Sequence, residues 1–187
     1  EDPDEGKQRA IEKITEQMKE AETMLYETAE PVFTYEIIDI GQFDARFENR
    51  GKSLTKHLEG CSKVALMAVT LGAAVDRLIS ETTDSRIALG VVLDSGASVM
   101  TELAADMATA SIRLALAESE GKKWIGTSET AGLFMTERFS PGYGDSPLEM
   151  QRHLLDFLQS GENLGITLSK GLMMSPSKSI TGIIGLA

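Results

Sequence analysis

Val64-Ala65-Leu66-Met67-Ala68-Val69-Thr70 is an unbroken apolar run of strand length, and it predicts a buried strand. A short helix near Ser53–Leu58 precedes it. Further upstream, Val32-Phe33-Thr34-Tyr35-Glu36-Ile37-Ile38-Asp39-Ile40 is rich in aromatic and β-branched residues and is closed by Gly41, which predicts a second strand. Before it, residues 7–28 read as an amphipathic helix whose inward stripe is Ile11, Ile14, Met18, Ala21 and Leu25, ended by Pro31. Downstream of the apolar run, Leu71-Gly72 turns into a helix over 72–81. A second helical stretch starts near Asp84 and runs towards Gly121. Its small residues (Ala88, Gly90, Ser95, Gly96, Ala97) suggest close packing on the sheet or a kink. Its later half carries Leu103, Met107, Ile112 (or Ala110), Leu114 and Ala117 at near-helical spacing.

A polar connector, Gly121–Thr130, separates this helix from Leu133–Ser140, which reads as a strand running into the turn Pro141-Gly142-Tyr143-Gly144-Asp145. Ser146-Pro147-Leu148-Glu149 carries the signs of a helix start, with Ser146 as N-cap and Glu149 completing a capping box. That helix turns Met150, Leu154, Phe157 and Leu158 inward and stops by Gly161. Three short strand candidates follow: Ile166–Leu168, Leu172–Ser175 and Ser179–Ile184. Helices and strands do not alternate as βαβ units, so the expected fold class is α+β, with a largely antiparallel sheet in a single domain over 1–187.

The chain has 187 residues, 42% apolar and 25% charged, values of a globular chain. Its formal net charge of −11, from 29 acidic residues against 18 Lys and Arg, argues against a nucleic-acid partner, which needs a dense basic footprint. A single cysteine, Cys61, leaves no intrachain disulfide framework and reads as a small buried residue. The apolar runs are broken short of about 18 residues, which argues against a membrane span. The acidic start lacks a signal-peptide pattern, so the cytoplasm is the expected compartment. The start also lacks a methionine, which fits a segment of a longer polypeptide.

The chemistry-bearing residues exclude several reactions. His57 and His153 lie in different helices without Cys or His partners at ligand spacing, so no metal site is expected. No Gly-x-Ser-x-Gly elbow appears. Ser175-Pro176-Ser177-Lys178-Ser179 reads as a loop supplying hydroxyl and amide contacts at a strand end rather than a Ser-Lys dyad. Gly142-x-Gly144 lacks the third glycine and the βαβ context of a dinucleotide fingerprint. The most informative segment is Arg138–Tyr143. Arg138 offers a planar, permanently charged fork suited to a carboxylate. Gly142 removes bulk where a ligand could approach the backbone, and Tyr143 adds a flat face with a polar tip.

In order, Arg138-Phe139-Ser140-Pro141-Gly142-Tyr143, a helix, Leu168-Ser169-Lys170-Gly171-Leu172-Met173-Met174-Ser175-Pro176 and Ser179-Ile180-Thr181-Gly182 resemble the activation domain of cobalamin-dependent methionine synthase. The match covers about the last 55 residues, and Asp94–Ala108 resembles the family's helix before the motif, placing the ligand-site region at about 94–187. The resemblance implies a twisted antiparallel sheet with flanking helices that binds S-adenosylmethionine. It implies that the ligand's methyl group is presented to cobalamin on a partner corrinoid-binding methionine synthase module. There, a methyl group and one electron from a flavodoxin-like donor restore methylcobalamin from cob(II)alamin, so no side chain of this chain is expected to be catalytic. Carried over, Arg138 binds the ligand carboxylate; Ser140, Gly142 and Tyr143 line the site; Glu102 answers the ammonium or the ribose hydroxyls. Asp39 and Asp44 are candidates for the family's N-terminal aspartate. Ile183-Ile184 stand where the long enzymes carry aromatic residues. That departure motivates an alternative expectation, a non-catalytic protein that docks on a corrinoid protein without using S-adenosylmethionine. A third is an unrelated α+β binder of small molecules.

Overall fold

In the computed structural model, which describes residues 3–119, 121 and 133–187, the predicted α+β class holds. The central strand is β2 (Lys63–Thr70), paired antiparallel on one side with β1 (Val32–Asp39) and on the other with β5 (Ser179–Leu186). Val32 stands opposite Thr70 and Asp39 opposite Lys63; Lys63 stands opposite Leu186 and Thr70 opposite Ser179. The apolar run is continuous because β2 is covered on both faces. Ala65, Met67 and Val69 enter one core with Ile184 and Leu186. Val64, Leu66 and Ala68 enter the other with Ile183. Strand periodicity sends alternate side chains to opposite faces.

Helices α1 (Pro3–Thr28), α4 (Ala73–Ser85) and α5 (Ile87–Ser119) cover the first face. Helices α2 (Ile40–Arg46), α3 (Gly51–His57), α6 (Met150–Phe157) and α7 (Ser160–Leu164) cover the second. A two-stranded pair, β3 (Thr167–Leu168) and β4 (Met174–Ser175), flanks them. The small residues of α5 serve close packing of helix on helix: a Cβ at Gly96 would meet Leu25 of α1 at 3.0 Å. Ser177 and Lys178, in the loop before β5, tie it to the helical layer. Asp76 accepts the Ser177 N–H at 2.6 Å and its hydroxyl at 2.8 Å, and Lys178 pairs with Asp94 at 2.8 Å.

Several expectations are corrected. Of the α1 stripe only Ala21 and Leu25 are buried; Ile11, Ile14 and Met18 are exposed, because among the described residues nothing packs on the first half of the helix. On α5 the buried face carries Ala104, Ala105, Ala108, Ile112, Leu116 and Ala117, while Leu103, Met107 and Leu114 face outward. That helix is long and apolar enough to cross a membrane by length and composition, contrary to the reading from apolar runs, but one of its faces lies in the core. Ser146 does not cap a helix: α6 starts at Met150, and the Ser146 hydroxyl lies against Met150 Sδ at 3.3 Å. Phe157 is half-buried, and Leu155 takes a core position instead. Helix α2 was not foreseen. The expected connector Gly121–Thr130 lies outside the described residues apart from Gly121.

The last correction matters most for the site. Leu133–Ser140 is not a regular strand. It runs along β5 through two isolated bridges, Met135 opposite Leu186 and Phe139 opposite Ile183. Between them, residues 136–138 stand opposite only 184 and 185, so the segment carries an extra residue, as a β-bulge does. The Thr136 hydroxyl repairs the ladder by accepting the Gly185 N–H at 2.8 Å.

A Cβ at Gly90 would lie 2.2 Å from Thr83 Oγ1 and 2.7 Å from its Cα, where α4 hands over to α5. Helix propensity alone favours Gly90→Ala by about 1 kcal/mol, but the backbone clash costs about 1–3 kcal/mol. Gly90→Ala is therefore expected to lower the urea midpoint. Gly41→Ala, with nothing within 4 Å of its Cβ, is expected to raise or preserve it.

Candidate functional site

The bulged segment puts neighbouring side chains on opposite faces of the sheet edge. Phe139 turns into the α6 core, while Arg138 reaches the other way, to α5. A Cβ on Gly182 would stand 3.1 Å from Met67 Cγ and 3.6 Å from Arg138 Cδ, so the arginine stem lies across β5 at this glycine, and it is Met67 that a side chain there would crowd. At the far end, Arg138 Nη2 donates to Glu102 at 2.7 Å, and Nη1 donates to Asp106 at 2.5 Å and to Thr109 Oγ1 at 3.3 Å. Glu102 and Asp106 are one helical turn apart and therefore share a face. The Arg138 side chain is 22% exposed, whereas the two carboxylates are largely exposed.

A cleft of about 660 Å³ reaches Arg138 but not its partners on α5; it is lined by Ser53, Lys56, His57, Glu137, Arg138, Phe139, Ser140 and Tyr143. The turn after Ser140 is held in two ways. The Ser140 hydroxyl donates to the Thr181 carbonyl at 3.0 Å. The Asp145 carboxylate accepts the backbone N–H groups of Lys52 and Ser53, both at 2.8 Å, at the start of α3. These bonds, those from Ser53 foremost, hold the Asp145 carboxyl down at about 2. Gly142 has φ +86°, and a Cβ there would meet Leu148 Cδ1 at 3.0 Å, so the turn itself requires glycine. His57 Nε2 lies 2.8 Å from the Glu137 carbonyl. The His57, Phe139 and Tyr143 rings form a series, with centroids 5.3 Å and 5.8 Å apart. Tyr143 is 73% exposed at the rim.

Of the residues singled out by sequence, Arg138, Ser140 and Tyr143 line the cleft together. Glu102 touches Arg138 from α5, and Gly142 shapes the turn. Asp106, Lys56 and His57 were missed as site residues. Asp106 had one usable signal, its i+4 spacing from Glu102; His57 is brought in from 80 positions before Glu137, and no local pattern marks that. Asp39 begins α2, its N–H donating to Gln42, and Asp44 pairs with Arg50; neither lines the cleft. Ile183 and Ile184 are fully buried on opposite faces of the sheet. A larger groove, about 930 Å³, opens along α3 past Asp145 and contains Arg50, Lys52 and Cys61. Burial pushes the Cys61 thiol up, which favours the unreactive protonated form.

A half-buried guanidinium held by two exposed carboxylates, on the edge of an antiparallel sheet and with a cleft at the arginine, marks this α+β domain and carries the charges that a small zwitterionic ligand complements. The sequence matches the family described as vitamin B12 dependent methionine synthase, activation domain, over residues 54–186, and the chain belongs to that family. Among solved structures it is similar to the crystal structure of the MetH reactivation domain bound to AdoHcy. The TM-score is 0.54 at 14% identity, over 92% of this chain and 65% of that one. No curated protein matches the chain.

Asp145 supplies the pH test of this scaffold. Its carboxyl is lower in the folded state than in the unfolded one, so its contribution is complete above about pH 4 and fades as pH falls towards about 2. Asp145→Asn is expected to be less stable than the parent at pH 7. The gap in denaturation midpoint between the two should narrow across that acid window.

Proposed function

We propose that this domain binds S-adenosylmethionine in the cleft beside Arg138 and presents the methyl group to cobalamin on a partner corrinoid-binding methionine synthase module. It would thereby act as the reactivation subunit for cob(II)alamin, with a flavodoxin-like electron donor. The observation that carries this reading is the Arg138 cluster, in which one fixed cation and two carboxylates are set side by side. An α-amino acid group offers the complementary pair of charges. Arg138 receives its carboxylate, and Glu102, seconded by Asp106, receives the ammonium or a ribose hydroxyl. Glu102, Asp106 and Thr109 account for three contacts of a group with five N–H donors, so the fork has donors to offer the ligand.

Ser140, Gly142 and Tyr143 serve as wall and turn, the exposed Tyr143 ring giving a flat face for a base. The cleft lies within the usual range for small-molecule sites, roughly 300–1,000 Å³. S-adenosylmethionine brings an already activated methyl on its sulfonium, so the chain's own residues need only bind, orient and neutralise charge. Family membership supports the reading. So does the ligand of the similar solved structure, AdoHcy, which is S-adenosylmethionine without its methyl.

The same cluster favours a second reading. Both Nη atoms of Arg138 already have carboxylate partners, as they would in a protein that kept the fold for docking on a corrinoid module without using the ligand. Calorimetric titration with S-adenosylmethionine and its demethylated product separates the two. Binding by the parent that weakens at least about tenfold in Arg138→Ala is the expected outcome. A folded parent that binds neither compound, yet retains a corrinoid-loaded module, establishes the docking reading instead.

A further inference from the structure

The first half of α1 extends past the cores formed by the described residues. Residues 4–20 are exposed along their whole length apart from the half-buried Gln17, a rod about 25 Å long at 1.5 Å per residue. Its apolar residues are not scattered. Ile11 (57% exposed), Ile14 (52%) and Met18 (58%) fall on the three-then-four spacing that continues into the buried Ala21 and Leu25, the a/d pattern of a coiled-coil seam. Ala21 and Leu25 complete their part of the seam in the core. The upstream part runs past that core, beyond the corner where Arg86 clasps Glu20 through two hydrogen bonds of 2.5 and 2.6 Å. Ile87, the residue after Arg86, is also exposed.

We propose that two copies of this chain pair through the Ile11–Ile14–Met18 face of α1. Charge singles out a second copy as the occupant. The chain as a whole carries −11, and most of its surface would repel a copy of itself. Residues 4–20 are the exception, with five acidic and four basic side chains. The positions that flank the seam, where like charges would oppose self-pairing, are Gln8, Ala10, Thr15 and Gln17, all uncharged. The charged residues Glu12, Lys13, Glu16 and Lys19 lie on the outer faces. The same patch therefore meets itself without repulsion, as a two-fold interface requires. The seam is short, and interfaces below about 1,200 Å² are weak and transient, so pairing depends on concentration. The pairing is independent of the ligand reading above.

Sedimentation equilibrium of the whole chain over a concentration series tests this. The apparent mass is expected to rise from one chain towards two. Ile14→Glu is expected to hold the chain at one chain mass across the series, while Lys13→Glu on the outer face still pairs. Circular dichroism and the S-adenosylmethionine titration should show that Ile14→Glu remains folded and unchanged at the cleft. A monomer at every concentration overturns the proposal, including one in which a corrinoid-loaded module occupies the seam instead. A dimer that survives Ile14→Glu overturns it too, since the contact then lies elsewhere.

Discussion

The central strand β2 has no solvent face and no free edge, and everything else is arranged around that constraint. A strand buried on both sides cannot leave its N–H and C=O groups to water; β1 satisfies one row and β5 the other, in registers that run the full length of the strand. Its alternate side chains then seed two separate cores, and each core needs its own helical layer. The cleft forms at the outer edge of β5, between the irregular segment along that edge and α3. The site is thus a consequence of how the sheet ends: an irregular segment with one residue too many along the edge of β5, sending Arg138 to one layer and Phe139 to the other.

That geometry also explains the composition of the site. A guanidinium crossing a sheet edge needs acceptors beyond it, and the Glu102/Asp106 face of α5 supplies them. A turn with a positive-φ glycine needs an anchor, and Asp145 provides one by capping the short helix α3. The Arg–Gly–Tyr motif, the Thr181-Gly182 step and the acidic pair on α5 lie far apart in the chain but form one contact network. The family was legible from three stretches in order, Arg138–Tyr143, Leu168–Pro176 and Ser179–Gly182.

How far reading carried depended on the range of the interactions involved. β1, β2, β5 and most helices announced themselves because periodicity and local breakers act within a few residues. The Arg138–Tyr143 turn was legible because glycine, proline and arginine have few alternative reasons to stand so close. The α6 start was misread because the capping signals at Ser146 and Glu149 are local, while the turn around them is held from α3 by Asp145. The outer half of α1 and the outward face of α5 were misassigned for a related reason: spacing shows that a helix has an apolar stripe, but not what stands opposite it.

The sequence alone determined that the chain is α+β, where β1, β2 and β5 lie, and that Arg138, Ser140 and Tyr143 belong together, because each of these follows from short-range backbone preference or from a compact motif. Only the tertiary structure decided that Leu133–Ser140 is bulged along β5, that Glu102 and Asp106 both clasp Arg138, that His57 walls the cleft, and that Ile11, Ile14 and Met18 remain uncovered. Each of those depends on which surfaces meet across tens of residues. That is settled by packing and by pairing of polar groups in three dimensions, which no window along the chain contains.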